Sequence, residues 1–331
     1  MRIATTILLA MLCIMVESRA AEPWPAEAWD AATLLTSLDS DFDDNMSGAG
    51  YNPETQTFWV CCNGMPSAFW ALDKKEDGSW GIATKEGKQA KYNLERGDLE
   101  GICQVDYGAD QVCLMFEGED RIRMYDTSEF GAATLRHEWD ISAYVPTLGG
   151  NGSEGITFVP DEWLAKGGFT DAEGNAYTSR NGMGGLMFVA HQNGGRIYVF
   201  DLGVDSKDVR FVGAYRSSRE ESSGLEFDRS SGRLYIWHNT GPNYLEVTEL
   251  SSVGEGDERR LLTVKEFLGP KAGNLEGIAV SPEAAGDHLC LIVDDDNQDD
   301  AAVMLFTRFD AAAAGSGTEK ADAPESSPEK E

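Results

Sequence analysis

Short apolar runs alternate with clusters of Gly, Asn and Asp along most of the chain, and the runs have the length of β-strands. A Ser-Gly or Glu-Gly dipeptide precedes a turn and a strongly apolar run at five places. These dipeptides are Ser47-Gly48, Glu100-Gly101, Glu154-Gly155, Ser223-Gly224 and Glu276-Gly277. Their spacing is about fifty residues, with one longer interval, and several short strands in such a period indicate a β-propeller.

Each period predicts a four-stranded blade whose first strand carries the dipeptide. The apolar second strands are expected at 58–62, 112–116, 186–190, 234–237 and 289–293. The third strands are expected at 68–72, 121–125, 196–200, 244–247 and 303–309. More polar fourth strands are expected at 90–94, 134–139, 209–215 and 260–267.

The last period lacks a fourth strand, because the chain runs into alanines directly after the third. Residues 32–38 form an early strand pattern that can fill this position and close the ring. We therefore predict a single propeller domain over residues 21–310, with five four-stranded blades. A sixth blade within residues 161–185 is the alternative, but this Gly-rich stretch lacks strand character and favours a loop over one face.

Both ends of the chain differ from the repeats. Residues 1–20 have a basic start, an apolar stretch and a small-residue end, which is typical of a secretory signal peptide; a retained N-terminal anchor is the alternative. We therefore expect an exported protein, periplasmic or secreted, with no integral membrane segment after cleavage. Residues 311–331 form an acidic tail rich in Ser, Pro and Glu, and we expect it to be disordered.

The formal net charge is −30, from 57 Asp and Glu against 27 Lys and Arg. Such a charge repels phosphate backbones and anionic lipids, so nucleic acid and membrane surfaces are not expected partners. It suits cation binding, although a solvated acidic exterior accounts for most of the carboxylates. The five cysteines beyond residue 20 fit buried free thiols, with a Cys103–Cys113 disulfide as the alternative.

In a propeller the first strands line the axial channel, so the five dipeptides place Ser47, Glu100, Glu154, Ser223 and Glu276 in one ring. A second polar position ends each apolar second strand; it is occupied by Asn63, Glu117, His191, His238 and Asp294. We predict a calcium site with Glu100, Glu154, Glu276 and Asp294 as metal ligands, because calcium prefers oxygen ligands. Ser47, Asn63, Glu117 and Ser223 would then contact a ligand.

Without a cation, three close carboxylates repel, and at least one should have a raised pKa. The architectural alternative is that the glycine recurs because the inner strands crowd together, and that the glutamates bond to backbone N–H groups of the next blade.

Two of the four histidines, His191 and His238, fall at the same position of different blades. Their alignment makes them candidate catalytic residues, as general acid or base groups. The sequence contains no nucleophile elbow, P-loop or dinucleotide fingerprint.

The segments 47–55 (SGAGYNPET), 98–102 (DLEGI) and 117–122 (EGEDRI) resemble the SdiA-regulated family of bacterial envelope propellers. The segments 274–279 (NLEGIA) and 291–297 (LIVDDDN) resemble the closing motif of the "esterase-like activity of phytase" propellers. The first resemblance implies bound calcium without an established reaction, and the second implies a phosphoester or ester hydrolase. The chain departs from a phytase in its shortage of Lys and Arg.

Three functions follow as hypotheses. The first is an exported calcium-binding propeller that recognises a small molecule or an envelope component at the mouth of its channel. The second is a metal-dependent phosphoester or ester hydrolase that uses the same mouth. The third is an interaction scaffold with residues 161–185 as its contact surface.

Overall fold

The computed structural model describes residues 20–42, 45–64, 66–146, 152–271, 273–282, 288–296 and 301–311. The predicted signal peptide, apart from its last residue, and nearly all of the predicted acidic tail lie outside these ranges. The described chain is built almost entirely of antiparallel strands.

The first strand of the described residues is β1 (Thr33–Leu34), which pairs with a strand of sheet 5, the last sheet along the chain. Sheet 1 contains β2 (Met46–Asn52), β3 (Thr57–Cys62), β4 (Ala68–Lys74), β5 (Trp80–Ile82) and, beyond a hairpin of β6 (Thr84–Lys85) and β7 (Lys88–Gln89), β8 (Lys91–Asn93). Sheet 2 contains β9 (Leu99–Cys103), β10 (Gln111–Phe116), β11 (Arg121–Glu129) and β12 (Ala132–Asp140).

Sheet 3 contains β13 (Ser153–Pro160), β14 (Gly185–His191), β15 (Arg196–Leu202) and β16 (Val209–Arg216), with helix α1 (Asp161–Lys166) after its first strand. Sheet 4 contains β17 (Gly224–Asp228), β18 (Arg233–His238), β19 (Tyr244–Val253) and β20 (Arg260–Leu268). Sheet 5 contains β21 (Leu275–Val280), β22 (Cys290–Asp294) and β23 (Val303–Phe306), followed in space by β1. Sheets 3 and 4 are joined by one parallel pair, Arg216 with Arg260.

The second strands are apolar throughout because both faces of each sheet are covered by a neighbouring sheet. A separate hydrophobic cluster fills each gap, including the gap between sheets 5 and 1. Aromatic side chains dominate these clusters; fully buried examples are Trp70, Phe116, Trp139, Phe188 and Trp237. The burial of both faces therefore follows from a circular stack of sheets.

The first strands of the five sheets form a closed inner ring. Strand β2 contacts β9, β9 contacts β13, β13 contacts β17, β17 contacts β21, and β21 returns to β2. This arrangement is a β-propeller, as the repeat predicts. The described residues contribute five inner strands, and the blade number of the whole chain stays a prediction.

The recurrent glycines lie where the inner strands meet. A Cβ built on Gly48 would lie 2.8 Å from the Cα of Gly101, and one on Gly101 would lie 2.9 Å from the Cα of Gly155. The same crowding continues from Gly155 to sheet 4, from sheet 4 to sheet 5, and from Gly277 back to β2. Real Cβ atoms are not found this close to backbone atoms. Close packing of the inner strands therefore requires glycine at these positions, as the architectural alternative expects.

The N-terminal strand closes sheet 5, as predicted, although it is shorter than expected. Only Thr33 and Leu34 pair with β23, opposite Leu305 and Met304. Short 3-10 helices at Trp29–Ala31 and Thr36–Leu38 flank it, so most of the predicted strand over 32–38 is wrong.

Three further details differ from the sequence prediction. The outer position of sheet 1 is shared by β5 and β8, which both pair with β4, because the chain between them turns out into the β6–β7 hairpin. The predicted loop at 161–185 begins with helix α1, whose Leu164 is buried in the core between sheets 3 and 4. The third strand of sheet 5 ends at Phe306 instead of residue 309.

Candidate metal centre at the propeller axis

Bulges in the inner strands position the residues that precede the glycines. The pairing of β2, β9, β13 and β21 with their second strands slips by one residue at the dipeptide, as between Leu275 and Ile278. A bulge inserts an unpaired residue and re-aims its side chain. The extra residue lets the glutamates leave the plane of their sheets and point to the axis.

The structure brings Glu100, Glu154 and Glu276 together at the axis. One carboxylate oxygen from each lies within 4.8 Å of the others. The three side chains come from sheets 2, 3 and 5 and are 4%, 2% and 6% exposed. We call these three residues the axial cluster.

Asparagine side chains support two members of the axial cluster. Asn63 donates from Nδ2 to Oε1 of Glu100 at 2.9 Å, and Asn274 donates from Nδ2 to Oε1 of Glu276 at 3.3 Å. The second oxygen of Glu276, Oε2, is buried and has no hydrogen-bond partner among the described residues. A buried carboxylate oxygen without a partner carries a large desolvation penalty, and a cation would remove it.

Burial raises the pKa of all three carboxyls. For Glu100 the pKa rises to about 8; burial is the main cause, repulsion from Asp98 and Glu117 adds to it, and the Asn63 hydrogen bond opposes it. Burial likewise raises the pKa of Glu154 well above its ordinary range, with repulsion from Glu100 and Glu276 as the next causes. The pKa of Glu276 is raised in the same way, first by burial and then by Glu100. The sequence predicts this mutual repulsion.

More carboxylates surround the axial cluster on one side. Asp98 and Glu117 form a second acidic group with Glu100, again with oxygens within 4.8 Å. Asp98 is exposed and Glu117 is half-buried, with its Oε1 accepting the Gly152 N–H at 2.7 Å. Glu221 repels both Glu154 and Glu276, and Asp295 repels Glu276.

The two serines of the predicted ring are buried with the cluster. Ser47 is fully buried and its hydroxyl donates to the Asn45 carbonyl at 3.3 Å; its proximity also opposes the raised pKa of Glu100 and of Glu276. Ser223 donates to the Trp237 carbonyl at 3.5 Å. Ser47 therefore lies near two of the glutamates, and its hydroxyl oxygen is a further candidate ligand for an ion.

Asp294 lies at the end of β22, as predicted, but not in the three-carboxylate group. Its Oδ1 accepts the backbone N–H groups of Asn274 at 3.1 Å and Asp296 at 3.0 Å. These bonds hold the turn that presents Asn274 to Glu276.

His191 is fully buried and both of its ring nitrogens have backbone partners. Its Nδ1 accepts the Asn193 N–H at 3.0 Å, and its Nε2 donates to the Pro146 carbonyl at 3.2 Å. Burial lowers the pKa of His191, so the ring is neutral. The catalytic role predicted for it stays a prediction.

His238 forms a fully buried pair with Glu246. Its Nε2 lies 3.0 Å from Oε2 of Glu246, and its Nδ1 lies 2.6 Å from the Glu221 carbonyl. Both of these oxygens are acceptors, so both ring nitrogens are in position to donate, and the Ser222 hydroxyl also lies 3.4 Å from Nδ1. Burial opposes ionisation of Glu246, but hydrogen bonds from His238 and Thr263 and the His238 charge together lower its pKa. Oε2 of Glu246 also accepts the Ser218 N–H at 2.8 Å, so the pair anchors the segment before β17.

Several residues of the axis escaped sequence analysis. Asp98 and Asn274 flank the recurrent dipeptides, where position alone could have identified them. Glu226 lies two residues after Gly224 and is 5% exposed; a charged residue inside an apolar strand is the signal that could have found it. The partner of His238, Glu246, lies on the third strand and becomes visible only when the strands pair.

The five cysteines of the described residues are buried free thiols, as expected by default. Cys103 and Cys113 occupy directly opposed positions of β9 and β10, the neighbouring strands on which the alternative disulfide depends. No disulfide joins them.

Within the described part of the chain, no helix has the length and apolar character needed to cross a bilayer. No protein-family model matches this chain. No curated protein matches its sequence either. Among solved structures, it is similar to the β-propeller domain of Cps50 (Swd1) from Myceliophteria thermophila, with a TM-score of 0.41 and 10% identity, over 83% of this chain and 99% of that one. The closed ring of inner strands, independent of this likeness, shows that the chain is a β-propeller.

Proposed function

We propose that this protein is an exported calcium-binding β-propeller that recognises a small molecule or an envelope component at its channel mouth. The observation that carries the proposal is the axial cluster, where three buried carboxylates meet and one oxygen, Glu276 Oε2, lacks a hydrogen-bond partner among the described residues. Three like charges in a desolvated site are costly, and a divalent cation compensates them.

The donor set fits a hard cation. Carboxylate oxygens of Glu100, Glu154 and Glu276 would hold the ion, and the hydroxyl of Ser47 offers another oxygen. Calcium takes six to eight such oxygens in flexible geometry, whereas structural zinc sites are built of Cys sulfur and His nitrogen. The described residues of the cluster supply only oxygen. A bound ion would join sheets 2, 3 and 5 at the axis.

Calcium titration by calorimetry tests this proposal. The wild-type protein should bind one calcium ion, and Glu276→Gln should weaken binding by at least about tenfold, or 1.4 kcal/mol. Glu226→Gln is the matched control, because Glu226 is an equally buried inner-strand carboxyl outside the cluster. Wild-type protein that binds no calcium, or equal loss in both variants, would contradict the proposal.

The hydrolase hypothesis has no comparable support. Its candidate proton carriers, His191 and His238, are fully buried and hydrogen-bonded at both nitrogens. The acidic surroundings of the axial cluster would also repel a phosphoester. The resemblance of the segments 47–55, 98–102 and 117–122 to the SdiA-regulated family implies calcium binding in the bacterial envelope, and the proposal adopts both.

A further inference from the structure

The side of the axis that carries the axial cluster is rich in carboxylates. Asp98, Glu117, Glu221 and Asp295 all act electrostatically on the cluster, and we call these four residues the acidic mouth. Every leading charge influence on the three glutamates is another carboxylate. A patch of one sign beside a buried site concentrates ions of the opposite sign and speeds their association.

The opposite side of the glycine ring is closed by a side chain. Glu226 follows Gly224 by two residues, whereas the cluster glutamates precede their glycines, so the two lie on opposite sides of the ring. Oε2 of Glu226 accepts the Tyr51 N–H at 3.1 Å. Strands β17 and β2 are not neighbours in the inner ring, so this bond crosses the axis.

The same level of the other four inner strands carries no other charged residue. The residues that follow the glycines by two are buried and small or uncharged, apart from Glu226; they are Gly50, Cys103, Thr157 and Ala279. Thr157 accepts the Phe227 N–H through its hydroxyl at 3.1 Å, which ties β13 to β17. The tight backbone contacts of the glycine ring lie between this level and the axial cluster.

We infer that the cation enters and leaves the axial cluster only through the acidic mouth, because Glu226 and the glycine ring close the channel on the other side. This inference rests on the proposed function. It assigns ligand recognition to one face of the propeller and gives Asp98 and Glu221 the task of attracting the ion.

Calcium binding kinetics test the inference. Dissociation is measured by stopped-flow mixing of the calcium-loaded protein with a fluorescent chelator, and calorimetry supplies the affinity. The double variant Asp98→Asn/Glu221→Gln should lower the association rate constant about tenfold at low salt, with a small change in dissociation. The difference should shrink at high salt, where the charges are screened.

Glu54→Gln is the matched control, since Glu54 is an exposed carboxylate in the β2–β3 turn at the opposite end of the inner strand. It should associate at the wild-type rate. Glu226→Ala should open the far side of the channel, so that adding Glu54→Gln then slows calcium association. In Glu226→Gln the far side stays closed, and adding Glu54→Gln should leave the association rate unchanged. If Glu226→Ala does not fold, the association rates of Asp98→Asn/Glu221→Gln and of Glu54→Gln are sufficient to test the inference.

Two results would overturn the inference. If Asp98→Asn/Glu221→Gln still binds calcium and associates with it at the wild-type rate, the inference is refuted while the proposed function stands. An equal slowing by Glu54→Gln would refute the inference as well. No calcium binding by the wild-type protein would instead overturn the proposed function, and the inference with it.

Discussion

At the scale of residues, the propeller buries carboxyls in two opposite ways. Glu246 is buried beside its hydrogen-bond partner His238, and its pKa is lowered. The three carboxyls of the axial cluster are buried beside one another, and their pKa values are raised. The first arrangement is complete within the protein. The second is complete only with protons or a cation, which is why the cluster is the candidate site.

The raised pKa of Glu100 predicts how the calcium-free protein responds to pH. A carboxyl whose folded pKa is about 8, against an ordinary 4.5, stabilises the fold when protonated. This contribution is fully present below pH 4.5 and is lost as the pH rises through 8. The melting temperature of chelator-treated protein should therefore fall over this window, and Glu100→Gln should reduce the fall. An unchanged pH profile in the variant would contradict the account.

The buried pair of Glu246 and His238 predicts a large loss of stability on truncation. Glu246→Ala removes one member of a fully buried pair and leaves Nε2 of His238 without its acceptor, which costs about 3–5 kcal/mol. Glu249→Ala on the same strand is the control: its ion pair with Arg233 is 42% and 36% exposed, so the expected loss is below about 1 kcal/mol. Urea denaturation at pH 7 measures both. Similar losses in the two variants would refute the structural role of the pair.

The same pair predicts a second pH dependence with the opposite sign. Because the folded pKa of Glu246 is lowered, its contribution is present above 4.5 and is lost as the pH falls through the folded value. Wild-type protein should therefore lose stability in acid more steeply than Glu246→Gln. Parallel acid unfolding curves, followed by circular dichroism, would contradict this expectation.

At the scale of elements, the recurrent dipeptide performs two tasks. The glycine permits backbone contact between inner strands, and the bulge directs the preceding side chain to the axis. Packing and site are therefore two consequences of one local structure. The two explanations of the recurrent dipeptide, close packing of the inner strands and a metal site, are therefore compatible.

A methyl group at an inner glycine should destabilise the ring. In Gly101→Ala the new Cβ would lie 2.7 Å from the Ile156 nitrogen and 2.9 Å from the Glu154 carbonyl oxygen. Backbone must move, and we expect a loss of about 1–3 kcal/mol. The control is Gly108→Ala, where the nearest atoms are side-chain oxygens at 3.5 Å. Thermal unfolding measures both; equal effects would show that the ring is not crowded.

Most strands and the first ring could be predicted from sequence because both are local patterns. Apolar runs locate the second strands, and the Glu-Gly repeat places Glu100, Glu154 and Glu276 at equivalent positions. Equivalent positions in the second ring predict less about what each side chain contacts. Asp294 and His238 occupy equivalent positions of this ring, but Asp294 hydrogen-bonds a turn and His238 contacts Glu246. Their orientations depend on partners elsewhere in the chain. The cross-axis reach of Glu226 is equally invisible before the ring closes.

At the scale of the whole molecule, the N-terminal segment completes the ring. Glu22 pairs with β20, exchanging backbone hydrogen bonds of 2.8 Å with Glu266 and Leu268, and β1 pairs with β23. Between them, Trp24 and Trp29 pack on Phe306 with ring centroids 5.2 and 4.8 Å away. The segment thus covers the outer edge of sheet 5 and ties it to sheet 4.

Deletion of residues 20–38 should open that edge. An uncovered strand edge pairs with other chains, so the truncated protein should melt lower and aggregate. Leu34→Ala is the control: Leu34 is 50% exposed and its backbone pairing is retained, so little change is expected. Light scattering during thermal unfolding distinguishes the two. A monomeric truncated protein with the full-length melting temperature would contradict closure by this segment.

The three glutamates at the axis are expected to bind a cation. Anomalous difference density from crystals grown with terbium, a calcium substitute with strong anomalous scattering, tests it most directly. The account predicts one peak between the carboxylates of Glu100, Glu154 and Glu276, absent from Glu276→Gln crystals. Terbium found only on other carboxylates, with an axis free of density, would contradict it.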